Sequence, residues 1–434
     1  MSEQDARRAI DAVWRIESAR LIAALARMTG DVGIAEDLAQ DALVAAIEQW
    51  PRSGVPDNPG AWLMATAKNR AIDRLRRNQM AARKEEEMGR EVELRARLAE
   101  PDLAAAADDE IEDDLLSLIF TACHPVLATE ARVALTLRLV GSLTTAEIAR
   151  AFLVKESTVA QRIVRAKRSL AEARVPIEVP GAAEREQRLA SVLEVIYAIF
   201  NEGYAASGGE DWVRADLCEE AMRLGRILAG LMPREPEALG LVALMELQAS
   251  RFPARTGPGG KAIPLLEQDR TRWDFVLIGR GLKALEQAEA LGRPLGPYAL
   301  QAAIAACHAR ARTAEQTDWE RIVALYDALD AVTGSPVVRL NRAVAVGIAF
   351  GPADGLRLLD GLAGEPALAG YHLLPAARGE LLERLGRDQE AAAEFARAAA
   401  LSGNAREQEL LQARRLRLLP DGGENLSGPA RPPA

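Results

Sequence analysis

Apolar side chains in this chain return at three- and four-residue spacing almost from end to end, and strand-like alternation of β-branched residues is nearly absent. That pattern restricts the fold to packed helices. In the first segment Trp14, Ile16, Leu21, Ile22 and Leu25 supply a candidate buried stripe. Ala, Leu, Arg and Glu dominate, all good helix formers, while aromatic residues are only 4%. The expected fold class is all-α. At 434 residues the chain exceeds one ordinary core, and 49% apolar residues can fill several.

Charge and turn residues divide the chain. The net charge is -9, yet Lys68, Arg70, Arg74, Arg76, Arg77, Arg83 and Lys84 form one basic run with Asp73 as its only acid. A second basic cluster holds Lys155, Arg162, Arg165, Lys167, Arg168 and Arg174, and between the two lies an acidic stretch from Glu100 to Asp114. Two basic helical patches joined by an acidic tether suggest two nucleic-acid contacts on one chain. Asp31 starts a helix with Glu36, Asp37, Asp41 and Glu48 on its polar side. The turn formers from Pro51 to Gly60 should then interrupt it. From Ala61 to Arg77 a further helix turns Met64, Ala67, Ala71, Ile72 and Leu75 inward and Asn69, Arg70, Asp73, Arg74 and Arg77 outward. The domains expected are 1–78, a linker over 79–112, a compact unit over 113–175, a long helical part over 184–416, and a disordered tail over 417–434.

Other chemistries leave no trace. The cysteines, Cys123, Cys218 and Cys307, are far apart and form no CxxC pair. Cys123 beside His124 is the one metal-like pair and recruits no partners, so neither metal nor other cofactor is expected. No nucleophile elbow, phosphate loop, HExxH or dinucleotide fingerprint occurs, so the chain does not read as an enzyme. The N-terminus has no apolar leader and no stretch is long enough to span a bilayer, which predicts a cytoplasmic protein without a membrane partner.

The strongest local motif runs from Thr144 to Lys167. Thr144 and Glu147 have capping-box spacing, which fixes the start of a short helix. Ile148 and Ala149 offer a small apolar crossing surface. After a turn at Leu153, a position often filled by Gly, Glu156 or Ser157 can cap a second helix with Val159, Ile163 and Ala166 on its inner side. Glu156, Ser157, Thr158, Gln161, Arg162, Arg165 and Arg168 then remain for base edges and phosphates.

In order, the segments Ala35–Leu43, Trp62–Arg77 and Thr144–Lys167 resemble regions 2 and 4 of the extracytoplasmic-function sigma factors of bacterial RNA polymerase. The resemblance covers roughly residues 8 to 173. It implies that Glu36, Asp37, Gln40, Asp41 and Glu48 dock on the clamp helices of the polymerase β′ subunit, with region 4 meeting the β flap. It assigns the −10 promoter element to Asn69, Asp73, Arg76 and Arg77, with Asn58 in the preceding loop, and the −35 element to the second helix of the helix-turn-helix. Basic residues beside a Gly/Pro/Asn loop suit the holding of a single strand and an extruded base. Trp62 could stack on DNA or lie in the core.

The remaining 240 or so residues resemble the extension of one group within that family. Leu381–Leu401 and Trp319–Gly347 resemble tetratricopeptide hairpins, whose stacked pairs offer curved surfaces for a protein or peptide partner. Ile199–Tyr204 and Leu265–Asp274 also resemble that group, and Asp269, Arg270, Arg272 and Asp274 could either bind a ligand or pin their loop by ion pairs. Asp421–Glu424 could be a docking motif or a simple turn. The competing reading is a helix-turn-helix regulator that binds duplex DNA without polymerase and senses a ligand or protein through its C-terminal half.

Overall fold

A computed structural model describes residues 3–82, 108–152, 154–204, 215–257, 263–403 and 405–419. Among these there are nineteen α-helices, joined by short 3-10 turns, and no β-strand. None of the helices is long and apolar enough to cross a membrane. The chain divides into two compact units, one of residues 1–205 with 214–233 and one holding 234–434.

In the first unit α1 (Glu3–Thr29), α2 (Val32–Ser53) and α3 (Pro59–Ala82) pack on one another. Asp31 caps α2, its Oδ1 accepting from the amides of Gly33 and Ile34 at 2.6 and 2.9 Å. On α1 the stripe holds Leu21, Ile22 and Leu25 as expected, and adds Ile10 and Ala19. Ile16 departs from it and is 66% exposed. Positions two apart on a helix point to nearly opposite sides, so Ile16 cannot share the face of Trp14. The helix α2 also runs through Pro51 to Ser53 instead of stopping at the proline, and the Gly54 amide closes its end on the Trp50 carbonyl at 3.0 Å. A proline in the last turn forfeits one hydrogen bond without blocking the turns before it.

The second half of this unit begins at α4 (Asp108–Ala122), which starts inside the expected linker; residues 83–107 lie outside the described chain, as does the tail after Leu419. Then come α5 (Thr129–Leu139), α6 (Thr145–Ala151) and α7 (Glu156–Glu172), with Phe120, Leu135, Leu137 and Leu139 fully buried. Two more helices, α8 (Ala182–Tyr204) and α9 (Ala215–Leu231), pack on each other and on α4 and α5. The sequence assigned them to the C-terminal part, whereas their contacts join them to the first unit.

The second unit runs α10 (Pro236–Ala249), α11 (Phe252–Arg255), α12 (Phe275–Ala290), α13 (Pro297–Arg310), α14 (Trp319–Thr333), α15 (Pro336–Ala349), α16 (Pro352–Gly361), α17 (Leu373–Arg384), α18 (Asp388–Leu401) and α19 (Ala405–Leu418). From α13 onward each helix packs on the next, so cores form serially between neighbours. The two segments read as hairpins are hairpins: α14–α15 turns at Gly334 and α17–α18 at Gly386, with φ of 58° and 72°. A left-handed turn residue of this kind suits glycine.

Close approach fixes another position. A Cβ on Gly240 would lie 2.6 Å from both Cα and N of Ala299, so α10 and α13 would have to separate. Gly240→Ala is expected to lower the urea-unfolding free energy of this unit by about 1–3 kcal/mol. Gly279→Ala on α12, where a Cβ meets nothing within 4 Å, should instead raise it by about 0.5–1 kcal/mol. Equal effects at the two sites would show that helix approach is not what Gly240 secures.

Candidate nucleic-acid interface

The helix-turn-helix is built as its spacing requires. Thr144 Oγ1 accepts from the Glu147 amide at 3.2 Å, and Glu147 Oε2 accepts from the Thr144 amide at 2.8 Å. The Thr144 amide bond is also the main reason that the Glu147 carboxyl titrates below its usual range. Ile148 and Ala149 are buried at the crossing with α7. Beneath α7 lie Val159, Ile163, Ala166 and Leu170, all buried, which turns the opposite face outward.

The cap of α7 differs from expectation. Lys155 is the N-cap and makes no side-chain bond there, while Glu156 and Ser157 begin the helix itself. Both are therefore free of a capping duty. They are exposed together with Gln161, Arg165 and Arg168, whereas Thr158 and Arg162 are half-buried. Arg162 borders an apolar hollow lined by Ile148, Phe152, Val154, Val159 and Ala198. Arg168 pairs with Glu172 at 2.6 Å in an exposed i,i+4 pair, too weak to withhold its charge from a phosphate. Leu153, the turn position singled out in the sequence, lies outside the described residues.

A second assembly sits at the start of α3. Asn58 is exposed, and its Oδ1 caps that helix by accepting from the Ala61 amide at 3.0 Å, a structural duty the sequence did not show. Asn69 is exposed, while Lys68 and Arg70 are half-buried. Arg70 Nη1 lies 3.7 Å from Asp41 Oδ1. Asp73, Arg76 and Arg77 fall on the helix, but their side chains are outside the described set. Trp62 stands edge-on to the buried Trp50, with ring centroids 5.4 Å apart, so most of its surface packs on the core.

On α2 the acidic residues part company. Asp37, Asp41 and Glu48 are exposed, and Gln40 is half-buried. Glu36 is 4% exposed and accepts from Arg138 Nε at 2.6 Å and Gln40 Nε2 at 2.7 Å, with Lys167 as its second ion-pair partner. Sequence reasoning missed three others. Ile34, Val44 and Ile47 are 40%, 47% and 47% exposed, beside Asp37, Asp41 and Glu48. The signal was available, because their spacing puts them on the solvent face of a helix whose inner face is already filled with alanine and leucine. The face is thus an apolar stripe edged by carboxylates and turned to solvent.

No sequence signal announced how α8 and α9 grip the helix-turn-helix unit. Arg132 of α5 reaches Ser191 Oγ and lies 3.1 Å from Glu194 Oε2. Ser191 Oγ donates to the Cys123 carbonyl at 2.6 Å, and Arg188 Nη2 donates to that of Phe120 at 3.0 Å. Arg223 of α9 donates to the Val140 carbonyl at 2.9 Å. Arginines paired with backbone carbonyls across 68 and 83 residues look, in a sequence, like ordinary surface charge.

In the second unit the loop read as exposed charge keeps Asp269, Arg272 and Asp274 exposed but folds Arg270 and Trp273 inward. Arg270 is 7% and Trp273 4% exposed. Arg270 donates to the carbonyls of His308 and Ala311 and to Thr317 Oγ1, all within 2.9 Å. Asp269 and Asp274 cap the turn and helix that follow them, accepting from backbone amides, so capping rather than ion pairing pins the segment. The described residues hold no group of three His, Cys, Asp or Glu able to bind a metal. Cys123 is buried 3.3 Å from Thr136 Oγ1, and burial pushes its thiol up to about 12, an unreactive state.

Comparison with known proteins agrees with this geometry. Residues 15–80 match Sigma-70 region 2 and residues 117–170 match Sigma-70 region 4. Residues 188–289, which include most of α8 and all of α9, match a family of unknown function, DUF6596. An uncharacterised protein of Rhizobium meliloti (strain 1021) is 45% identical over 386 residues, covering 88% of this chain and 90% of its own length.

Proposed function

The chain belongs to the sigma-70 family, with regions 2 and 4 followed by a helical extension, and we propose that it is an extracytoplasmic-function-type sigma factor whose extension regulates it. A sigma factor binds core RNA polymerase and promoter DNA, and those are its partners. The supporting observation is the outward face of α7, where Glu156, Ser157, Gln161, Arg165 and Arg168 stand exposed over a fully buried inner face. Side chains near the start of such a helix reach base edges, and the arginines further along reach phosphates. On this reading α7 takes the −35 element, while Asn58, Asn69, Asp73, Arg76 and Arg77 take the −10 element. The face formed by Ile34, Asp37, Asp41, Val44, Ile47 and Glu48 docks on the β′ clamp helices, with Gln40 at its margin.

The extension serves as the regulatory part. Its first two helices hold region 4 through Arg188, Ser191 and Arg223, and its serial hairpins offer a surface for a protein or peptide partner.

Purified core polymerase with this chain is expected to give transcripts from defined start sites, lost in the double variant Arg76→Ala/Arg77→Ala. Arg165→Ala should weaken binding of region 4 to duplex DNA and reduce the salt slope of log K by about 1. DNA binding without polymerase association or new transcripts would transfer the assignment to a polymerase-independent regulator.

A further inference from the structure

One apolar side chain of α7 faces away from the core. Val159, Ile163, Ala166 and Leu170 lie buried beneath the helix, whereas Val164 is 65% exposed. At about 100° per residue, Val164 points roughly 130° away from the mean direction of those four. Its neighbours on the outward face are Gln161 and Arg168, one turn away on either side, and Ser157, two turns away. All three are polar and exposed. A lone exposed valine elsewhere on the surface calls for no explanation. This one stands within the face assigned above to duplex DNA.

Two properties make such a residue poor for water and good for DNA. An exposed helix position is better served by Lys, Glu, Arg or Gln, because valine is a weaker helix former and adds apolar surface. In a helix, however, its branched Cβ confines it to essentially one rotamer. Its two methyl groups are thus held in place, and little side-chain freedom is lost when they touch a partner. In the major groove thymine is the one base that presents a methyl group, so an apolar contact there separates it from the other three. Gln161, three residues earlier, carries the amide that pairs with adenine N6 and N7. Side chains at that spacing are about 5–6 Å apart at Cβ, a distance between one and two base-pair rises.

We propose that Val164 is a specificity-determining residue of region 4, whose methyl groups pack on the 5-methyl group of a thymine in the −35 element, within about two base pairs of the position that faces Gln161. This deepens the sigma-factor reading above and rests on it. Shielding one methyl group from water corresponds to about a fourfold change in affinity, which sets the size of the expected effect.

Uracil in place of thymine tests it, because the exchange removes that methyl group and leaves every hydrogen-bonding group of the base unchanged. Core polymerase loaded with the full chain is used to enrich duplexes from a randomised pool, and each thymine of the enriched −35 segment is then replaced singly by uracil. For the wild type, one replacement should weaken binding about fourfold. Val164→Ser should bind the thymine duplex about fourfold less tightly and should no longer distinguish thymine from uracil at that position. Val164→Ala should act in the same direction, and since the position is exposed, melting curves of both variants should match the wild type. Arg165→Ala, by contrast, should weaken both duplexes alike and keep their ratio, because a phosphate contact carries no base information. An enriched −35 segment without thymine, uracil replacements that all leave affinity unchanged, or a uracil penalty that persists in Val164→Ser would each overturn the assignment. Failure of the loaded polymerase to enrich any sequence or to start transcripts would instead overturn the sigma-factor reading itself.

Discussion

Trp50→Ala is expected to cost the first unit about 3–5 kcal/mol of stability. Trp50 closes the last full turn of α2 at 1% exposure, with Trp62 of α3 set against its ring at 68°. Removing the indole exposes a cavity between two helices at the point where the chain turns from one to the other. The Gly54 amide bonds to the Trp50 carbonyl, so the loop that precedes the basic helix loses its packed floor while keeping its backbone tie. An edge-on aromatic pair adds about 0.5–1.5 kcal/mol beyond area burial, and only part of that returns if Trp62 collapses into the space. Trp62→Ala should cost clearly less, since that ring is half-buried. Urea unfolding followed by near-UV circular dichroism reads both. A loss under about 1.5 kcal/mol for Trp50→Ala would mean that the site closes over, and that the loop does not rest on this ring.

What the sequence revealed was local, and what it concealed was long-range. Thr144 and Glu147 are three residues apart, and their mutual bonds need nothing from the rest of the chain. The same holds for Asp31 and the amides it caps. The inner face of α7 could be read because Val159, Ile163 and Ala166 repeat with the helix period. Two misreadings came from treating a local rule too broadly. Ile16 was grouped with Trp14 on apolar character although two positions apart cannot share a face, and Pro51 was read as a stop although it sits where a helix can spare the bond.

Glu36 shows the other limit. On a helical wheel it lies about 100° from Asp37, toward the buried Val32 and Ala39, but its partners Arg138 and Lys167 come over 100 residues later and nothing in the local pattern names them. Arg270 likewise looks like solvated charge until the carbonyls at the end of α13 are placed above it. The ties of α8 and α9 to the first unit include hydrogen bonds from Arg188, Ser191 and Arg223 to backbone carbonyls, which have no residue signature at all. The proposed promoter-reading faces could therefore be read from sequence to the extent that they are helix surfaces. The long-range contacts that pack around them could not.

The second unit should be acid-sensitive through one residue, His308. It is 8% exposed, its ring stands edge-on to Trp319 at 5.2 Å, and Arg270 donates to its carbonyl. Burial, then the nearby charges of Arg251 and Arg270, lower its pKa from 6.5 to about 4. In the unfolded chain the imidazole takes a proton as pH falls through 6.5, whereas the folded unit refuses it until about 4. The unfolded state thus binds more protons across that window, and stability falls as pH drops through it. With about 1.4 kcal/mol per pKa unit, the loss reaches about 3 kcal/mol near the bottom of the window. Urea midpoints at several pH values between about 7 and 4.5 should therefore fall more steeply for the wild type than for His308→Gln, which cannot titrate. Carboxylates shape both curves alike, so the difference between the two slopes isolates the histidine. Parallel curves would show that the folded unit admits the proton, and that water or a carboxylate reaches His308 behind Trp319.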